Sequence, residues 1–283
     1  MLRWRLLLGT VLVAAMTGLC WLDHGASTPG IWLLPVALAF SVLASAEIIH
    51  LFRAGGLQPL AWPVYLGNLL MVGSCWLPYV SPGLAGGDHP RLVSAWPWVA
   101  LGIGVLLVMI GEMRRYEKPG GVTANIAAAI LGLVYVGLML TFVIQLRLLW
   151  GVGALASLIV VVKACDTGAY TVGRLIGRHK LAPVLSPGKT IEGALGGLAF
   201  ACLGSCATFA YLERGTLLGW IVFGLILGLA GMLGDLAASL IKRDVGVKDS
   251  SRWLPGFGGV LDLLDSLLLA APVAWLCWAL GLV

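Results

Sequence analysis

Charge is scarce in this sequence. Only 11% of its 283 residues are Asp, Glu, Lys or Arg, while 60% are hydrophobic. A soluble globular domain carries roughly 25% charged residues. So few charges cannot cover a water-facing surface, so lipid must solvate most of the exterior. No soluble domain and no low-complexity linker interrupts the chain. The six cysteines, at 20, 75, 165, 202, 206 and 277, form no Cys-x-x-Cys pair, and the four histidines have no ligand spacing. A disulfide framework or a Cys/His metal site is therefore not expected. Most of the cysteines read as small buried hydrophobes. The formal charge of +5 suits a protein beside anionic lipid. It is no nucleic-acid signature, because no basic stretch is interleaved with aromatics in a polar domain.

What the sequence does have is a succession of apolar runs. A spanning helix needs about 20 apolar residues. Nine segments approach that length: 5–22, 31–51, 60–80, 95–112, 123–145, 148–164, 191–212, 216–241 and 262–282, the sixth being the shortest. The fold expected is an all-α polytopic membrane protein of about nine transmembrane helices. Residues 1–145 would form an N-terminal five-helix region and 146–283 a C-terminal catalytic region, within one integral membrane domain. Glycine is abundant, at 39 residues, and falls inside the segments. Pairs such as Gly193/Gly197 and Gly224/Gly228 have the small-xxx-small spacing of closely packed membrane helices.

Basic residues set the orientation. With the N-terminus inside, the outside loops hold only Arg91, Arg147 and Arg214, which leaves fifteen of the 18 Lys and Arg residues inside. The expected topology is N-terminus inside and C-terminus outside. Arg3 and Arg5 before the first run resemble a signal peptide, but no small-x-small site follows, and a retained helix is expected.

Ionisable groups gather unevenly. Glu47 and His50 share a helical face near the inner end of the second segment and read as interfacial solvation plus a local hydrogen bond. Residues 111–121 read as a solvated turn. Two inside segments, 163–190 and 242–261, are dense in charge, Gly and Pro. The first carries Lys163, Asp166, Tyr170, Arg174, Arg178, His179, Lys180 and Lys189. Its glycines let backbone N–H groups approach a phosphate that Lys and Arg neutralise. Ser186 or Thr190 is placed to cap the following helix. Gly188-Lys189-Thr190 looks like the end of a phosphate-binding Walker loop, but Pro183 stands where the first glycine is required. A positive-inside loop that only sets topology would look similar.

The second segment is sharper. Asp235 lies about two turns before Lys242, roughly 10 Å inside the helix end at 1.5 Å per residue, with Ser239 on the same face. A carboxylate at that depth is costly without a cation. Asp262 and Asp265 share one face at the start of the last segment. The eighth and ninth segments form an antiparallel hairpin, so Asp235 can meet Asp262 or Asp265. Such hard oxygen ligands suit Mg²⁺ with phosphates completing its shell, with Lys242, Arg243 and Lys248 nearby. A carboxylate–cation network that merely holds the hairpin together fits the same spacing.

The stretch SLIKRDVGVKDSSRWLPGFGGVLDLLD, Ser239 to Asp265, resembles the signature of the phosphatidate cytidylyltransferases, or CDP-diacylglycerol synthases. That signature runs Ser-x-x-Lys-Arg, four residues, Lys-Asp, then Pro-Gly-His-Gly-Gly and Asp-Arg-x-Asp. KACDTGAYTVGR and SPGKTIEG upstream are also similar to the family, so the likeness is clearest over residues 160–266. It implies transfer of CMP from CTP to phosphatidate, with CTP, phosphatidate and membrane lipid as partners, no nucleic acid, and an active site facing the cytoplasm. It leaves a homodimer open. It implies catalytic roles for Asp235, Asp262, Lys242 and Lys248. It implies substrate contacts for Asp166, Tyr170, Lys189, Ser239, Arg243 and Asp249. Asp235, Asp262 and Asp265 would ligate Mg²⁺, and a second, monovalent cation stays open. Four positions depart from the pattern: Phe257 for His, Leu263 for Arg, Ala238 for Glu and Gly188 for Lys. They keep two alternatives open. One is a related CTP-dependent enzyme acting on another lipid phosphate or lipid alcohol. The other is a weak or inactive lipid-binding paralogue. A transporter is disfavoured, since no paired interrupted helices recur in two halves.

Overall fold

The computed structural model describes residues 2–80, 95–251, 253 and 258–283. Arg91, Arg252, Pro255 and Phe257 lie outside the described residues. The architecture is helical: α1 (Leu2–His24), α2 (Leu34–Ala54), α3 (Ala61–Ser74), α4 (Leu77–Val80), α5 (Trp96–Arg115), α6 (Val122–Gly132), α7 (Met139–Trp150), α8 (Val152–Ile176), α9 (Ile191–Leu212), α10 (Leu217–Asp244) and α11 (Val260–Ala279). A π-helical turn, Leu133–Leu138, joins α6 to α7. The described strands are β1 (Lys180–Ala182) and β2 (Ser186–Thr190), which pair antiparallel. Among the described residues, seven helices are long and apolar enough to cross a membrane. The protein is an integral membrane protein of the all-α class.

Several boundaries differ from those read in the sequence. The segment expected over 60–80 is divided. α3 has 14 residues, and the chain turns at Cys75–Trp76 before α4. Pro78 sits in the first turn of α4, where its missing N–H costs nothing. The segment expected over 148–164 is extended instead. α8 continues to Ile176, so Asp166, Tyr170 and Arg174 lie on a helix and not in a loop. Charge density signals the water interface, but Ala, Leu, Lys and Arg are all good helix formers, and the helix runs on past the apolar stretch to Gly177.

The chain forms two compact units. The first comprises residues 1–148 with 249–263, and the second 149–248 with 264–283. In the first, Ile48, Val64, Met71, Val108, Leu133 and Leu146 are fully buried. Leu133 packs over Gly67 and Gly104, where neither position has room for a larger residue without displacing it. Asn68 is fully buried and donates to Ser45 Oγ at 2.7 Å. Gly137, in the π-helical turn, leaves the space that Asn68 fills. Asp23, at the end of α1, is also fully buried. It accepts from Arg147 Nε at 2.5 Å, Gly30 N at 3.1 Å and Trp32 N at 3.2 Å. Arg147 was expected in an outside loop, but it lies in α7 within this buried pair.

In the second unit, glycines let the helix backbones approach. A Cβ on Gly168 of α8 would lie 2.5 Å from Phe200 and 2.9 Å from the Gly196 carbonyl of α9. A Cβ on Gly197 would lie 3.0 Å from the Cys165 carbonyl, and one on Gly193 2.8 Å from the Ala169 carbonyl. Gly224 and Gly228 of α10 lie against Ala201 of α9. The packing role read from the small-xxx-small spacing is borne out at both pairs. Trp150, Trp220, Phe223, Trp275 and Trp278 form an aromatic cluster in which Trp150 meets Trp278 at a tilt and the other contacts are edge-to-face.

Candidate active site

The β1–β2 hairpin and the start of α9 form one preorganised corner of the second unit. Thr190 ends β2 and caps α9, its Oγ1 accepting from Gly193 N at 3.1 Å. Glu192, in the first turn of α9, reaches back to the residues before β1. It accepts from Arg178 N at 3.1 Å and His179 N at 3.2 Å, and pairs with His179 Nδ1 at 2.6 Å. Arg243, at the end of α10, donates to the Leu185 carbonyl at 3.3 Å and the Val247 carbonyl at 3.1 Å. The hairpin is thus tied at its base and near its turn, which fixes the direction of Lys189 on β2.

Lys189 points into a cavity of about 610 Å³ lined by α8, the hairpin, α9 and α10. Its Nζ lies 2.8 Å from Asp235 Oδ2. That nitrogen is buried, and its N–H donors find no well-directed acceptor among the described residues. Asp166, Tyr170, Arg174 and Thr190 also line the cavity. Arg174 donates to Tyr170 Oη at 2.7 Å, and its guanidinium stands 5.9 Å from the Tyr170 ring centre. Lys163 Nζ, Asp166 Oδ2 and Ser266 Oγ form a triangle with sides of 3.0 to 3.2 Å. It orients Asp166 from α8 and α11 together. Four of the sequence-derived residues, Asp166, Tyr170, Lys189 and Asp235, therefore meet at one cavity. Arg174 joins them; the sequence had offered it only as one of many cations. Gly188 also lines this cavity.

Asp235 follows Gly234, where α10 comes against Asp265 and Ser266 of α11. Gly234 allows this approach, since a Cβ there would lie 2.6 Å from the Asp265 carbonyl. Asp265 is buried, and Lys242 Nζ stands 3.9 Å from it. Asp235 pairs with Lys189 at 2.8 Å, while Asp265 accepts from Ser266 N at 2.6 Å and has Lys242 at 3.9 Å, so each carboxylate has a cation at hand and oxygen ligands to offer. A hard divalent cation that binds through one or two carboxylates fits this pair. Among the described residues, no three His, Cys, Asp or Glu side chains come together as a metal cluster. Ser239 is half-buried on α10, and Lys248 and Asp249 are exposed on the loop that follows. None of these three lines the cavity, nor does Arg243, whose donors serve the hairpin.

In the first unit, Asp262 Oδ2 accepts from Ser250 N at 2.8 Å and Gly259 N at 2.9 Å, with Ser250 Oγ at 2.8 Å. It closes the loop ahead of α11. Glu47 of α2 takes part in the same structure. It is buried and bonds to Ser250, Ser251, Val260 and Leu261. The local hydrogen bond and interfacial solvation expected for Glu47 are replaced by these distant partners, while His50 is exposed. Spacing along one helix could not show this, because the partners lie more than two hundred residues away.

A sequence model described as the cytidylyltransferase family matches residues 3–280. The chain belongs to the cytidylyltransferase family. Among its relatives, a phosphatidate cytidylyltransferase of Mycobacterium leprae (strain TN) is 33% identical over 87% of this chain and 79% of its own length. One from Mycobacterium bovis (strain ATCC BAA-935 / AF2122/97) is 30% identical over 96% of this chain and 88% of its own. One from Staphylococcus aureus (strain COL) is 42% identical over 66% of this chain and 70% of its own.

The departures of this cytidylyltransferase from the signature have unequal structural weight. A Cβ on Gly188 would meet nothing within 4 Å, so the position has room for a longer side chain at the cavity. Ala238 is only 4% exposed on α10, and a glutamate there would have to be buried. Leu263 is half-buried on α11.

Proposed function

We propose that this protein transfers CMP from CTP to phosphatidate, releasing pyrophosphate and forming CDP-diacylglycerol, at the cytoplasmic side of a bacterial inner membrane. The observation that carries this reading is the cavity in which the buried Lys189 ammonium and the Arg174 guanidinium face Asp235 and Asp166. Cations and carboxylates meeting beside apolar helices suit a triphosphate and a lipid headgroup. The volume of about 610 Å³ falls within the usual range for small-molecule sites. The names of the relatives support the same substrates, and the inside bias of Lys and Arg supports the cytoplasmic side.

In the reaction, a phosphate oxygen of phosphatidate bonds to the α-phosphorus of CTP. The bond from that phosphorus to the bridging oxygen breaks, and pyrophosphate leaves with it. No covalent intermediate with the protein is required. Lys189 and Arg174 neutralise phosphate charge, and the tied hairpin keeps Lys189 in place before the substrates arrive. Asp166 is held by Lys163 and Ser266 at the same cavity. Asp235 and Asp265 would hold Mg²⁺, which when bound supplies further neutralisation at the phosphate oxygens.

The test is pyrophosphate release from CTP by purified protein in lipid nanodiscs with Mg²⁺. Release should require phosphatidate and yield CDP-diacylglycerol. Asp235→Asn should lower kcat by about 10²-fold or more, the usual loss when a key charge at a transition state is removed. Activity that survives this change would overturn the role given to Asp235. Product formed from a lipid alcohol or another lipid phosphate, and not from phosphatidate, would overturn the substrate.

A further inference from the structure

Glu47 lies outside the family signature and outside the cavity, yet its carboxylate holds the signature loop. Oε1 accepts from Ser251 Oγ at 2.8 Å and Val260 N at 3.0 Å; Oε2 accepts from Leu261 N at 2.8 Å, with Ser250 Oγ at 2.8 Å. Val260 and Leu261 begin α11, where N–H groups have no partner within the helix. A carboxylate at that end is also favoured by the helix dipole. Ser250 Oγ stands 2.8 Å from both Glu47 Oε2 and Asp262 Oδ2. Its single proton can serve only one of them at a time, which couples Glu47 to Asp262.

The backbone is shaped around this carboxylate. A Cβ on Gly259 would collide with Ser250 Oγ and Glu47 Oε2. Gly258 has a φ of 87°, a left-handed value that favours glycine. The two glycines thus turn the chain and leave room for Glu47 against it.

We propose that Glu47 is a positioning residue for nucleotidyl transfer, fixing where α11 starts and so the direction of Asp262 and Asp265. The proposal rests on the cytidylyltransferase reaction given above. Its reason is geometric. Each residue of an α-helix advances about 100° around the axis, so a slip of one residue at the start of α11 swings both carboxylates away from their present directions. Two bonds from this buried carboxylate to the first N–H groups of α11, with Ser251 and Ser250 holding the carboxylate from the loop, oppose that slip.

The experiment compares full-length wild type with Glu47→Gln, Glu47→Ala and Gly259→Ala in nanodiscs. Glutamine keeps the size of Glu47 but turns an N–H₂ group toward donors and removes the charge. The expected result for Glu47→Gln is a kcat lower by roughly 10- to 100-fold, the usual cost of losing an outer partner of a site, with KM for CTP unchanged. Its thermal midpoint should stay close to that of wild type. Amide exchange over 249–263 should quicken while exchange over 152–176 stays the same. Gly259→Ala should shift kcat and exchange in the same direction, and Glu47→Ala further. Wild-type kcat in Glu47→Gln would overturn the proposal. So would a kcat loss that merely tracks loss of folded protein, with exchange over 249–263 unaltered. Inactive wild-type protein would overturn the reaction and with it the positioning role; the exchange data would still show separately whether Glu47 clamps the loop.

Discussion

Asp23 and Arg147 hold each other in a place neither could occupy alone. Their side chains are 0% and 10% exposed. Removing one partner leaves the other charge buried without compensation, which costs about 3–5 kcal/mol, whereas replacing both can be close to neutral. Arg147→Ala should therefore lower stability to chemical unfolding by about that amount. Asp23→Asn with Arg147→Met should recover most of it, because asparagine still accepts from Gly30 N or Trp32 N. Unfolding midpoints in one detergent would test this, and equal losses in the single and double variants would contradict it. Lys189 contrasts with Arg147. Its ion pair with Asp235 borders a cavity, and its remaining donors are available to a phosphate. The sequence marked Asp235 as a costly charge and Lys189 as a cation suited to phosphate, but only their 2.8 Å separation makes them parts of one site.

Helix contact in the second unit depends on small residues more than on apolar bulk. Phe200 and the Gly196 carbonyl occupy the space that a side chain at 168 would need. Gly168→Val should push α8 from α9, and overpacking of this kind costs about 1–3 kcal/mol. α8 also carries Asp166, Tyr170 and Arg174, so kcat should fall along with the thermal midpoint. An enzyme with lowered stability but unchanged kcat would show that the seam does not set the cavity geometry. Glycine spacing in the sequence announced close packing of α9 and α10. It did not announce that α8 runs to Ile176, because hydropathy reports where a helix leaves lipid and not where its hydrogen bonds end.

The distribution of basic residues concerns the whole molecule. The exposed turn between β1 and β2 presents Val184, which is 87% exposed, and Lys180 and Arg178 precede it. With the six native cysteines replaced, Val184→Cys should react with a membrane-impermeant maleimide in inverted vesicles and stay unlabelled in intact cells. Labelling only from outside would reverse the proposed orientation. The two units do not follow a simple division of the chain. Residues 249–263 belong with the first, and the remainder of α11 with the second.

The sequence by itself determined the solvent of this protein, its helical class and the family signature, since hydropathy, small-residue spacing and motif order are properties of neighbouring residues along the chain. It also named the carboxylates and cations from which the candidate site is drawn. Only the tertiary structure decided how they are divided. Asp166, Tyr170, Lys189 and Asp235 line a cavity. Arg243 braces the hairpin. Asp262 closes the loop ahead of α11, and Glu47 anchors that loop. The physical reason is that a buried charge is defined by its partners. The cation that Asp23 needs, Arg147, lies more than one hundred residues away, and the partners of Glu47 more than two hundred, at separations that no periodicity in the sequence records.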